Sequence, residues 1–190
     1  MGRHGGNIRE LADRAELDVE KIVDFSANIN PLGPPESLRA VVSRSLDRVV
    51  HYPDPEGLEL RRVLAARHGV DSENIALGNG SSELLFALPR AGEWSRAVIP
   101  APCYVDYATA AEQAGLDVFF FPLPPEEGFV LNWDRLDSFL RGEELVFLGQ
   151  PNNPTGISLD PVQIQNVSRA YPGSLFVVDE AFLDFVPGLK

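Results

Sequence analysis

The chain has 190 residues, 44% of them hydrophobic, which is enough for one core of ordinary size in a soluble α/β domain. Its formal net charge of −12 opposes binding to nucleic acid or to an anionic membrane surface, since both need clustered Lys and Arg. The single cysteine, Cys103, excludes an internal disulfide, no stretch approaches the roughly 18 apolar residues of a membrane span, and the N-terminus lacks a signal-peptide core, so a cytoplasmic protein is expected.

Residues 1–36 read as an arm and a loop. A short amphipathic stretch covers 8–17, and Asp24-Phe25-Ser26-Ala27-Asn28-Ile29-Asn30-Pro31-Leu32-Gly33-Pro34-Pro35 is too rich in Asn, Pro and Gly for regular structure. Leu38, Val41, Val42, Ser45 and Val49 follow a helical spacing. After the turn-forming Tyr52-Pro53-Asp54-Pro55, a second helix carries Leu58, Leu60, Leu64 and Ala65. From there short apolar runs at 75–77, 97–99, 118–121, 145–148 and 175–178 alternate with stretches long enough for crossover helices, such as 82–88 and 104–114. That alternation predicts an α/β fold, a mostly parallel sheet with helices on its faces. The last run ends at Asp179-Glu180-Ala181-Phe182, with neither a covering helix nor a further strand after it, so a partial sheet is expected.

Three loops carry candidate chemistry. Gly78-Asn79-Gly80-Ser81-Ser82-Glu83 follows an apolar run and opens a helix, where unpaired backbone N–H groups and two hydroxyls point at an anion. A plain serine-capped helix start is the alternative, and the third glycine of a dinucleotide fingerprint is missing. Pro151-Asn152-Asn153-Pro154-Thr155-Gly156 sits at the C-terminal end of a predicted strand, where ligands of open sheets collect, although an isolated turn reads the same way. Asp179 ends the last run, so its carboxylate either faces that crevice and needs a partner or caps the following turn.

Taken together, the three loops resemble those of pyridoxal-phosphate enzymes of the aminotransferase fold. The resemblance extends along the chain through His4-Gly5-Gly6-Asn7, the stretch from Asp24 to Gly33, and Asp179-Glu180-Ala181-Phe182-Leu183-Asp184-Phe185. These segments are similar to the family of threonine-phosphate decarboxylases and histidinol-phosphate aminotransferases. The implied fold is part of the three-layer large domain of fold type I, with 1–36 as an N-terminal arm and substrate loop and 37–190 as the N-terminal portion of the cofactor-binding domain. The resemblance implies that Gly80, Ser81 and Ser82 bind the phosphate of pyridoxal 5′-phosphate, that Asn153 bonds the ring O3′, that Asp179 pairs with the ring nitrogen and that Tyr104 stacks on the ring. It assigns Tyr52 to the phosphate of a neighbouring subunit's cofactor, implying a homodimer, and His4, Gly5, Asn28 and Asn30 to a small phosphorylated amino-acid substrate. No metal is implied. Phe182 stands where the aminotransferase relatives usually carry tyrosine, which favours decarboxylation of threonine phosphate, in cobalamin biosynthesis, over transamination of histidinol phosphate.

The family's Schiff-base lysine has no counterpart here. Only Lys21 and Lys190 occur, one in the arm and one too close behind Asp184-Phe185-Val186-Pro187-Gly188-Leu189. The chain is therefore expected to be a fragment, a truncated product or half of a split enzyme, inactive alone. A non-catalytic paralogue that keeps the cofactor loops is the other reading.

Overall fold

The computed structural model describes residues 5–188 and divides into two compact units, Met1–Ile75 and Ala76–Lys190. The first is helical. Helix α1 (Ile8–Ala15) starts at Asn7, whose Oδ1 accepts from the Glu10 backbone N–H at 3.2 Å while its Nδ2 donates to the Glu10 carboxylate at 3.0 Å. Helices α2 (Glu36–Ser45) and α3 (Leu58–His68) follow. Among the described residues of this unit only Ala12 and Ala65 are buried apolar side chains, whereas Phe25, Leu32, Val49 and Tyr52 are largely exposed.

The second unit is built on four parallel strands: β1 (Arg96–Ala101), β2 (Asp117–Pro122), β3 (Glu144–Gly149) and β4 (Leu175–Asp179), in the order β2-β1-β3-β4. Helices α4 (Ser81–Ala87), α5 (Val105–Gln113), α6 (Trp133–Phe139) and α7 (Pro161–Ala170) surround the sheet. Alternate strand residues face opposite sides, as the pleat requires. Ala97, Ile99, Leu145 and Phe147 pack with Leu85 of α4 and with Tyr107 and Ala111 of α5. Val98, Val146 and Leu148 pack with Leu136 of α6 and Val167 of α7. Both faces of β1 and β3 are thus dry, which is why their sequences read as unbroken apolar runs. The result is the three-layer α/β arrangement expected.

One expected strand is absent. Ile75 is extended, but no strand pairs with 75–77 among the described residues, and a strand exists only through its ladder.

At the N-terminal rim of the sheet, the first residues of β1 and β3 form a buried ion pair. Arg96 Nη1 lies 3.3 Å from Glu144 Oε1, and its guanidinium lies 4.2 Å from the centre of the Phe119 ring. The Glu144 carboxylate also accepts from the backbone N–H groups of Arg141, Gly142 and Glu143 and from Ser174 Oγ. Burial alone would raise its pKa, but these bonds and the Arg96 charge outweigh burial and hold it below the ordinary glutamate value.

Candidate active site

The order β2-β1-β3-β4 reverses direction between β1 and β3, and in open parallel sheets the crevice beyond the C-terminal strand ends at such a point is where ligands bind. Three loops meet there: 101–104 after β1, 150–159 after β3, and 179–182 after β4.

The loop after β3 is fixed by its own polar groups. Gln150, 2% exposed, donates through Nε2 to the Leu159 carbonyl at 2.8 Å and accepts from the Leu159 N–H at 2.6 Å. Asn152 donates through Nδ2 to the Pro102 carbonyl at 3.0 Å and to Thr155 Oγ1 at 2.9 Å. Its backbone N–H and carbonyl pair with Ile157 and Gly156. Asn153 differs: its side chain makes no hydrogen bond among the described residues and lines a cleft of about 200 Å³.

The other walls of that cleft come from Ser81, Tyr104, Tyr107, Pro151, Asp179, Ala181 and Phe182. Asp179 is held on both sides. Oδ2 accepts from the Tyr107 hydroxyl at 2.8 Å, and Oδ1 accepts from the Ala181 N–H at 3.0 Å. A carboxylate has about four acceptor sites, so each oxygen keeps capacity for a further donor. Tyr107 is 2% exposed, lies flat on Phe147 with ring centres 5.2 Å apart, and meets Tyr104 edge to face at 5.6 Å. Burial first, and then the adjacent Asp179 carboxylate, push the Tyr107 phenol well above its usual range, so it remains a donor. The Tyr104 hydroxyl donates to Asp106 Oδ2 at 2.8 Å and also bonds the Ser82 side chain. Burial and the Asp106 contact raise its pKa.

Gly80 precedes α4 with φ 80° and ψ 164°, a conformation open essentially to glycine only. Gly80 supplies no side-chain cap to α4, the Asn79 N–H donates to the Glu83 carboxylate, and Ser81 at the head of the helix lines the cleft.

Of the residues singled out from sequence, Ser81, Tyr104, Asn153 and Asp179 line one cleft, with Gly80 and Ser82 next to it in the chain and Ser82 tied to Tyr104. Gly5, Asn28, Asn30 and Tyr52 belong to the other unit and are placed only within it. There, Gly6 N–H donates to Ser26 Oγ at 2.8 Å, and a Cβ at Gly5 would stand 1.8 Å from the Ser26 carbonyl oxygen, so arm and loop are in close contact. Asn30 Oδ1 accepts from the Leu32 N–H at 3.0 Å, Asn28 is exposed, and Tyr52 is fully exposed. His4 lies outside the described residues. Sequence reasoning missed Tyr107; its one signal was the three-residue step from Tyr104, which puts both on one face at the head of a helix. Among the described residues there is no cluster able to hold a metal ion, and no helix is long and apolar enough to cross a membrane.

Residues 20–190 match the family model for aminotransferase class I and II. The chain is 38% identical over 189 residues to the adenosylcobalamin biosynthesis bifunctional protein CobDQ of Leptospira interrogans, covering 97% of this chain and 22% of that protein. It is 35% identical to the threonine-phosphate decarboxylase of Salmonella typhimurium, covering 97% of this chain and 51% of that one. The crystal structure of the histidinol-phosphate aminotransferase from Clostridium acetobutylicum superposes with a TM-score of 0.79 at 27% identity, over 89% of this chain and 50% of that one. The chain thus spans about half the length of the Salmonella relative, and less of the Leptospira one.

Proposed function

Because the chain belongs to the class I and II aminotransferase family, whose cofactor is pyridoxal 5′-phosphate, we propose that it carries the cofactor-binding half-site of a threonine-phosphate decarboxylase. The observation that carries this reading is the conjunction in one cleft of Asp179, an Asn153 amide that makes no hydrogen bond among the described residues, and the serine-bearing head of α4, whose N-cap Gly80 has no side chain to offer. These groups fit the cofactor: a carboxylate with spare acceptor sites for a ring N–H, an amide for a phenolate oxygen, and N–H and hydroxyl donors for a phosphate. When bound, pyridoxal phosphate supplies an electron sink for a bond to the substrate's α-carbon.

In this reading Gly80, Ser81 and Ser82 hold the phosphate, Gly80 by allowing the backbone to turn into α4. Asn153 donates to O3′, Tyr104 covers one face of the ring, and Asp179 keeps a proton on the ring nitrogen. His4, Gly5, Asn28 and Asn30 take the phosphorylated substrate, within an arm and loop over 1–36 that precedes the cofactor-binding portion over 37–190. Tyr52 serves the second subunit of a homodimer, which the exposure of Phe25, Leu32 and Tyr52 favours. A cytoplasmic setting agrees with the single cysteine.

Decarboxylation is preferred because Phe182 lines the cleft without a phenolic hydroxyl, and because the relatives at 38% and 35% identity carry cobalamin-biosynthesis and threonine-phosphate decarboxylase names. Transamination of histidinol phosphate is the second reading, favoured by the 0.79 TM-score to such an enzyme. The deciding assay offers both substrates to the complete protein with cofactor. Carbon dioxide release from threonine phosphate is the expected outcome; 2-oxoglutarate-dependent glutamate formation from histidinol phosphate, without carbon dioxide release, would overturn it.

A further inference from the structure

Asp179 stands at the end of β4, one residue before the chain leaves the sheet, where a carboxylate is free to adopt several rotamers unless something fixes it. Tyr107 is in a position to fix it. It comes from the first turn of α5, it is buried, its ring is clamped flat against Phe147 of β3, and its hydroxyl ends 2.8 Å from Asp179 Oδ2. The same ring props the edge of Tyr104, which lines the cleft. One side chain therefore touches two cleft residues that lie on different elements and 75 positions apart in the sequence (104 and 179).

We infer that Tyr107 is a positioning residue for cofactor binding, acting chiefly through Asp179, a role that rests on Asp179 being the partner of the ring nitrogen as proposed above. The hydroxyl does two things at once. It occupies one acceptor site of Oδ2, which sets the rotation of the carboxylate, and it disperses part of the negative charge without supplying a proton that can be lost. Because the phenol is buried beside an anion, it stays protonated throughout the neutral range, so the bond persists wherever the protein is folded. A tyrosine that merely filled the core would need only its ring, and the stack on Phe147 would then account for it fully.

The distinction is measurable as a double-mutant cycle on the dissociation constant of pyridoxal phosphate for the full chain, read by equilibrium dialysis so that no turnover is required. Tyr107→Phe keeps the ring and its stacking and removes only the hydroxyl. We expect it to weaken binding by about tenfold in the wild-type background, in keeping with loss of a hydrogen bond to a charged group, and by less than about twofold in the Asp179→Ala background, where there is nothing left to position. Equal weakening in both backgrounds would make Tyr107 a packing residue and overturn the inference, as would an unchanged dissociation constant for Tyr107→Phe beside a weakened Asp179→Ala. An unchanged constant for Asp179→Ala would instead remove the reading of Asp179 itself. Should Tyr107→Phe fail to melt cooperatively, 3,5-difluorotyrosine at position 107 preserves the shape and alters the donor strength; affinity that shifts only when Asp179 is present supports the inference, and affinity that does not shift overturns it.

Discussion

Asn152, on the loop after β3, donates its side-chain amide to the Pro102 carbonyl on the loop after β1, bridging the point where the strand order reverses. Its neighbour Asn153 does no such work and lines the cleft instead. Two adjacent residues of the same type thus divide the tasks of holding the loop and presenting a donor.

Substitution should separate those tasks. Asn152→Ala removes two side-chain hydrogen bonds and is expected to cost about 1–3 kcal/mol of stability in urea titration, with cofactor affinity falling as a consequence. Asn153→Ala should leave the unfolding free energy from urea titration within about 0.5 kcal/mol of wild type while weakening pyridoxal phosphate binding.

Gly80→Ala isolates backbone conformation from packing. An added Cβ there meets no atom within 4 Å, so any loss comes from forcing an alanine to φ 80° and ψ 164°. The expected cost is about 1–3 kcal/mol. A melting curve superposable on wild type would show that the turn into α4 can be rebuilt without glycine.

Glu144 gives a pH signature at the rim away from the cleft. Its folded pKa lies below the ordinary value of 4.5, so its contribution is complete above that value and is lost as pH falls through the lower folded one. Glu144→Gln leaves Arg96 charged and buried and should destabilise by about 3 kcal/mol or more near neutrality. Denaturant titrations at successive pH values should find wild type and variant converging below pH 4.5, not diverging.

Cys103 should be a slow thiol. Burial pushes it up to about 11, so at pH 8 its thiolate fraction, and hence its rate with iodoacetamide, should be about a hundredfold below that of an ordinary cysteine. The rate should climb about tenfold per pH unit to pH 10 in the folded protein. Labelling as fast as in urea would contradict the burial.

The fold was legible wherever burial imposed a pattern. The apolar runs at 97–99, 118–121, 145–148 and 175–178 became β1 to β4 because each strand packs against helices on its faces. The run at 75–77 has the same composition and is no strand, because composition records burial and says nothing of whether a neighbour supplies the ladder. The cleft residues Ser81, Asn153 and Asp179 were legible from loops whose backbone demands are local. Tyr107 was not: its partner lies 72 residues away, and the Arg96 to Glu144 pair spans 48. Such pairs follow from strand order and register, which no single stretch of sequence carries.

Tyr104 and Tyr107 stand at the head of one helix, with two residues between them whose side chains make neither the Asp179 bond nor the stack on Phe147. Each residue advances a helix by about 100°, so inserting or deleting one between the two tyrosines would swing the second hydroxyl away from β4 while leaving the first ring in place. In variants of this chain the length of that short step should therefore be harder to change than the identities of Val105 and Asp106 within it, and a gap placed there in an alignment would signal a differently built anchor for the carboxylate.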